Sequence, residues 1–212
     1  MLYADASITK QQLRAHYREK RNSIAFESRA DLDAAIRANI LELDAVKHAK
    51  TVLMFYPIKS EPNVLALVKS LHDLGKRIAF PISNSDDCTL TFRYVNDVQD
   101  MVAGTYNIPE PSQSAPIVED FSHSVCLVPA LVFDKYGYRL GYGKGYYDRF
   151  LKDFSGRSIG IAYSDFIADS LPNQDTDMAV DMIITERGNV IPYETKSKEH
   201  QEYRSQEKQT EL

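Results

Sequence analysis

Apolar residues fall in short dense runs along this chain, separated by stretches in which they recur every three or four positions. The runs at 51–56 and 125–133 are almost uninterrupted, the pattern of strands buried on both faces of a sheet, and those at 77–81, 158–163 and 180–185 repeat it. The run at 89–95 differs, because Leu90, Phe92 and Tyr94 alternate with polar residues; this predicts a half-exposed strand running antiparallel to its neighbour. Between the runs lie helical patterns. Ser7 is placed to cap a helix that reaches about Ile24, a second spans 27–48 with Leu32, Ile36, Ile40 and Leu43 at core spacing, and a third spans 63–74 before Gly75. Strand and helix alternate throughout, which predicts an α/β protein built on a mixed sheet.

With 212 residues and 24.1 kDa the chain suits one domain with a sizeable core, expected over 1–194, while the charged, aperiodic stretch 195–212 is expected to be a disordered tail. A formal charge of -5 argues against a nucleic-acid-binding module. No stretch approaches the roughly 20 apolar residues that span a bilayer, so no membrane partner is expected and the location is expected to be cytoplasmic. Cys88 and Cys126 lie far apart, each within an apparent strand, and read as buried thiols rather than a metal site or a disulfide.

The chemistry concentrates after the run at 125–133. Gly141, Gly143 and Gly145 punctuate a loop that leads into helical character from Tyr146 onward. Such a loop lets backbone approach a ligand and aims the helix's free N–H groups at it; Arg139 and Lys144 add positive charge, so the unit suits a phosphate chain. It matches neither the Walker spacing, since Gly145 follows Lys144, nor the dinucleotide fingerprint, since the third glycine comes one position early. Asp148 is placed either to hold a Mg2+ ion beside phosphates or simply to complement the helix dipole. Lys10, Arg14, Arg18 and Arg21 share one face of the first helix, which is either a solvated basic face or the partner of an anion.

The string from Pro129 to Asp134, followed by Gly137, Arg139-Leu140-Gly141-Tyr142-Gly143-Lys144-Gly145 and Tyr146-Tyr147-Asp148-Arg149, closely resembles the signature of the 5-formyltetrahydrofolate cyclo-ligase family. The segment Ile108-Pro109-Glu110-Pro111 resembles a second family segment. The resemblance implies a three-layer α/β/α sandwich with a mostly parallel mixed sheet, of the kind shared with ribose-phosphate isomerases and CoA transferases. It implies conversion of 5-formyltetrahydrofolate, a small-molecule partner, to 5,10-methenyltetrahydrofolate with ATP and Mg2+ as cofactors; a monomer is expected. By position, Lys10, Arg14 and the stretch Arg139, Leu140, Gly141, Tyr142, Gly143, Lys144, Gly145, Tyr146 and Tyr147 would bind ATP. Tyr56, Glu61 and Tyr142 to Tyr146 would contact the folate, and Asp148 with Asp181 would hold the metal, with no side-chain nucleophile needed. The chain departs from the family pattern at Phe166, where a glutamine is common, and at Thr176, where a histidine usually stands. The competing expectations are a sugar-phosphate isomerase on the same fold, needing no ATP, and a nucleotide or folate binder without turnover.

Overall fold

The computed structural model describes residues 9–190 and Pro192; Ser7 and the tail from 195 lie outside them. A seven-stranded sheet runs in the order Gly188–Val190, Met182–Thr185, Arg157–Ile161, Ser124–Pro129, Thr51–Leu53, Arg77–Asn84, Thr89–Tyr94. The inner pairings are parallel and both edge strands are antiparallel, so the α/β class and the antiparallel Thr89–Tyr94 agree with the expectation. Val52, Leu53, Ile78, Val125, Leu127, Ile159 and Ile183 are each at most 1% exposed, which makes the middle of this sheet the core of the molecule.

The first helix, α1 (Lys10–Asn22), is capped by Thr9 rather than Ser7. Gln12 N donates to Thr9 Oγ1 at 3.3 Å and Thr9 N donates back to Gln12 Oε1 at 2.8 Å, a reciprocal box that satisfies two orphan amides. The predicted second helix is two: α2 (Phe26–Glu42) and α3 (Asp44–His48) flank Leu43, whose backbone is extended. That break re-aims the chain, and Val46 joins Ile36 and Ile40 in the buried core. The next helix, α4 (Leu67–Asp73), begins four residues later than its pattern suggested, because the side chain of Asn63 accepts from Leu65 N and the Asn63 carbonyl is held by Arg37 Nη1. Helix α2 packs on Met182–Thr185, and α4 packs on Arg77–Asn84.

The apolar run at 125–133 is not one strand. It leaves the large sheet after Pro129 and re-enters a small sheet as Val132–Asp134, between Ile167–Ala168 and Arg139–Leu140. Phe133 lies against Gly160 of the large sheet so closely that a Cβ there would stand 2.6 Å from its ring, so the two layers meet only because residue 160 has no side chain. Cys126 is buried as expected, and burial pushes its thiol above the usual range. Cys88 instead occupies a half-buried turn with φ 57°.

Candidate active site

Three segments meet beyond the carboxyl ends of Thr51–Leu53 and Ser124–Pro129, where open α/β sheets hold their ligands. They are α1, the loop carrying Tyr56 to Glu61, and the glycine-rich loop from Gly141 to Gly145. The last leads into the short helix α5 (Tyr146–Lys152), which packs on Thr89–Tyr94.

Two of the three loop glycines are required by geometry. Gly143 has φ 98°, and a Cβ on it would sit 3.2 Å from the Arg14 guanidinium carbon; Gly145 opens α5 with φ 73°. Arg14 Nε donates to the Gly141 carbonyl at 2.9 Å, and Arg149 Nη1 donates to the Lys144 carbonyl at 2.8 Å. Cationic side chains thus bind the loop's carbonyls, leaving its amides to other acceptors, and Lys144 projects into solvent.

Lys10 pairs with Asp177 at 2.6 Å. One residue along, Met178 N donates to Asp148 Oδ1 at 3.1 Å. The Arg139 side chain is 5% exposed; its Nη2 donates to Asp148 Oδ1 at 2.7 Å and its Nη1 to the Met178 carbonyl at 2.6 Å. Burial lowers the pKa of Arg139, opposed chiefly by the charge of Asp148. Asp181 is engaged elsewhere: its Oδ2 accepts from Ser158 N and Ser158 Oγ, both at 2.8 Å, at the start of Arg157–Ile161. Asp148 and Asp181 therefore share no partner, and the carboxylate that joins Asp148 around Arg139 is Asp177. Among the described residues no group of three or more His, Cys, Asp or Glu could hold a metal.

In the loop that follows Thr51–Leu53, Tyr56 is half-buried and Glu61 is 7% exposed. Burial raises the Glu61 carboxyl from 4.5 to about 7, against the Ile58 N–H, Arg21 and Lys59, which favour its charge. Burial, then Glu61, pushes the Tyr142 hydroxyl up as well, and Lys59 Nζ stands 5.2 Å from the Tyr142 ring. The hydroxyl of Tyr147 is buried with no hydrogen-bond partner among the described residues. Phe166, where a polar residue was expected, is 1% exposed and packs on Tyr17 and Tyr163 beneath Lys20, while Thr176 is exposed. The side chain at 166 thus belongs to the core of this chain.

Residues 6–186 match the model of the 5-formyltetrahydrofolate cyclo-ligase family. The chain belongs to that family. A 5-formyltetrahydrofolate cyclo-ligase from Mycolicibacterium smegmatis is 28% identical over 191 residues, covering 86% of this chain and 96% of the relative. The corresponding enzyme from Mycoplasma pneumoniae is 30% identical over 185 residues, covering 84% and 98%. Among solved structures, the Aquifex aeolicus 5,10-methenyltetrahydrofolate synthetase superposes with a TM-score of 0.78 at 30% identity, covering 91% of this chain and 97% of that one. These cyclo-ligase relatives give no support to the sugar-phosphate isomerase or to the binder without turnover.

Proposed function

We propose that this chain converts 5-formyltetrahydrofolate to 5,10-methenyltetrahydrofolate using ATP, releasing ADP and phosphate. The observation that carries the reading is the juxtaposition of the glycine-rich loop, with Arg14 closed over Gly143, and the buried carboxyl of Glu61 at one end of the parallel sheet. A formamide oxygen is a poor leaving group. Transfer of the γ-phosphoryl group to it makes phosphate the leaving group, so that N10 of the same folate attacks the formyl carbon, loses its proton and closes the ring. The protein's work is positioning and charge neutralisation, as in phosphoryl transfer at large.

In this proposal Lys10, Arg14 and Lys144 meet the triphosphate, the backbone from Leu140 to Gly145 cradles it, and Tyr146 and Tyr147 wall the loop. Arg139 acts from below by fixing Asp148. Tyr56, Glu61 and Tyr142 orient the folate. The donor set fits Mg2+, which binds through one or two carboxylates and otherwise through phosphate and water. Asp148 accepts both its hydrogen bonds on Oδ1, which leaves Oδ2 for the ion; Asp181, proposed as the second carboxylate, accepts both of its own from Ser158 on Oδ2, which leaves Oδ1. Bound there, Mg2+ supplies charge neutralisation for the phosphates. We further place the cyclo-ligase domain at 1–194 with a charged tail beyond it, and infer a cytoplasmic monomer without nucleic-acid or membrane partners. No helix among the described residues is long and apolar enough to cross a membrane.

The test is the rise of methenyltetrahydrofolate absorbance from 5-formyltetrahydrofolate, Mg2+ and ATP, with omission of ATP as the control. Asp148→Asn should abolish that rise. It should also lower stability by about 1–3 kcal/mol, because Arg139 is buried and loses its charged partner. Full turnover by the variant, or product without ATP, would contradict the proposal.

A further inference from the structure

Arg21 lies at the last turn of α1 and is 2% exposed, a cation buried without a direct carboxylate partner among the described salt bridges. Its three nitrogens reach three different segments. Nε donates to Ser60 Oγ at 3.2 Å, Nη1 to the Ala130 carbonyl at 2.7 Å, and Nη2 to Tyr142 Oη at 2.9 Å. Ser60 Oγ in turn donates to Asn22 Oδ1 at 2.7 Å, which closes the network back onto α1. Ser60 precedes Glu61, Tyr142 stands in the glycine-rich loop, and Ala130 follows the strand between them. A planar guanidinium can satisfy three acceptors in these directions at once; an ammonium cannot hold the same fork.

The charged and titratable groups around Glu61 come from every side of this junction. Arg21 approaches from α1, Lys59 from the same loop, Tyr142 from the glycine-rich loop and Tyr147 from α5, while Arg18 acts on Tyr142.

We propose that Arg21 is a positioning residue for the cyclo-ligase reaction: its guanidinium locks the Glu61 loop to Tyr142, so that the two groups proposed to orient the folate are set relative to each other by one side chain. This rests on the reading of the site given above. Two effects follow. Loss of the fork frees the loops from each other, and loss of the cation removes one of the charges that favour ionised Glu61, so the carboxyl moves further up.

The experiment compares Arg21→Gln, Arg21→Lys, Tyr142→Phe and the Gln/Phe double variant with wild type. It measures KM for 5-formyltetrahydrofolate and for ATP, the pH profile of kcat/KM for the folate, and calorimetric binding of the folate alone. Arg21→Gln should raise the folate KM about tenfold and the ATP KM far less, with the acid limb displaced upward by roughly half a pH unit. Arg21→Lys should restore the acid limb but not the KM. Tyr142→Phe, at the exposed end of the network, should reproduce the KM change, and the double variant should add little to it. It also keeps the proposal testable if Arg21→Gln does not fold.

A wild-type folate KM and pH profile in Arg21→Gln would overturn the proposal. So would equal losses for both substrates with an additive double variant, the pattern of a merely structural residue. If wild type forms no product, the cyclo-ligase reading falls by itself, and the calorimetric folate affinities of the same variants decide the role of Arg21. Absence of folate binding by wild type overturns both.

Discussion

Glu61 is held protonated more readily in the folded chain than in the unfolded one, which ties stability to pH. Its carboxyl rises from 4.5 to about 7, so its contribution to stability is full below 4.5 and is lost as pH climbs through 7. Replacing it with glutamine should therefore raise stability at pH 8 by as much as on the order of 3 kcal/mol, with no gain below pH 4.5, and should weaken folate use. Thermal melts at pH 8 and pH 4 check this; equal shifts at both would show that burial is not straining the carboxylate. Glu61 could be singled out from the sequence by the family resemblance, but its burial could not. Arg21 was legible only as one of four basic residues on a helix face, since its partners lie 39, 109 and 121 positions away and no local pattern marks them. Asp177 was missed as the partner of Lys10 for the same reason, at a separation of 167. Cys88 was misplaced because a short polar turn ahead of a strand resembles the strand's own start.

At the scale of elements, the capping box of α1 bears on the proposed function because Lys10 and Arg14, the proposed partners of the triphosphate, stand in the first turns of that helix. Thr9→Ala should cost about 1 kcal/mol and raise the KM for ATP more than that for the folate. A change confined to the folate would mean that the helix start plays no part in holding phosphate. The glycine-rich loop could be recognised from sequence because its chemistry is contiguous: the glycines, the cations and Asp148 follow one another within a single stretch. The run at 125–133 could not be divided from sequence, because uniform apolarity is equally satisfied by one long strand or by two short ones in different sheets. Pro129 was the only local sign of the break. The split of α2 from α3 was hidden in a similar way, since Leu43 keeps the helical spacing of apolar residues while its backbone leaves the helix.

Among the described residues, the parallel centre of the sheet is the region of densest burial, and the candidate active site is assembled from segments that surround it. Amide exchange should be slowest in Val52, Val125 to Leu127 and Ile159, where exposure is at most 1%. Adding ATP with Mg2+ should slow exchange in α1 and in the loop from Gly141 to Gly145 together, because Arg14 joins them across 127 positions. Protection of the loop alone would show that α1 takes no part in nucleotide binding. The fold class was legible because strand and helix alternate in the pattern of apolar residues, whereas the way that α1 reaches the site depends on long-range contacts. Those contacts also set an order of events during synthesis. Helix α1 leaves the ribosome before the segments it binds, so Arg14 waits for Gly141, Arg21 for Tyr142 and Lys10 for Asp177. A nascent chain therefore carries its basic helix without its acceptors until most of the domain has been translated. The candidate site is among the last features of the molecule to exist.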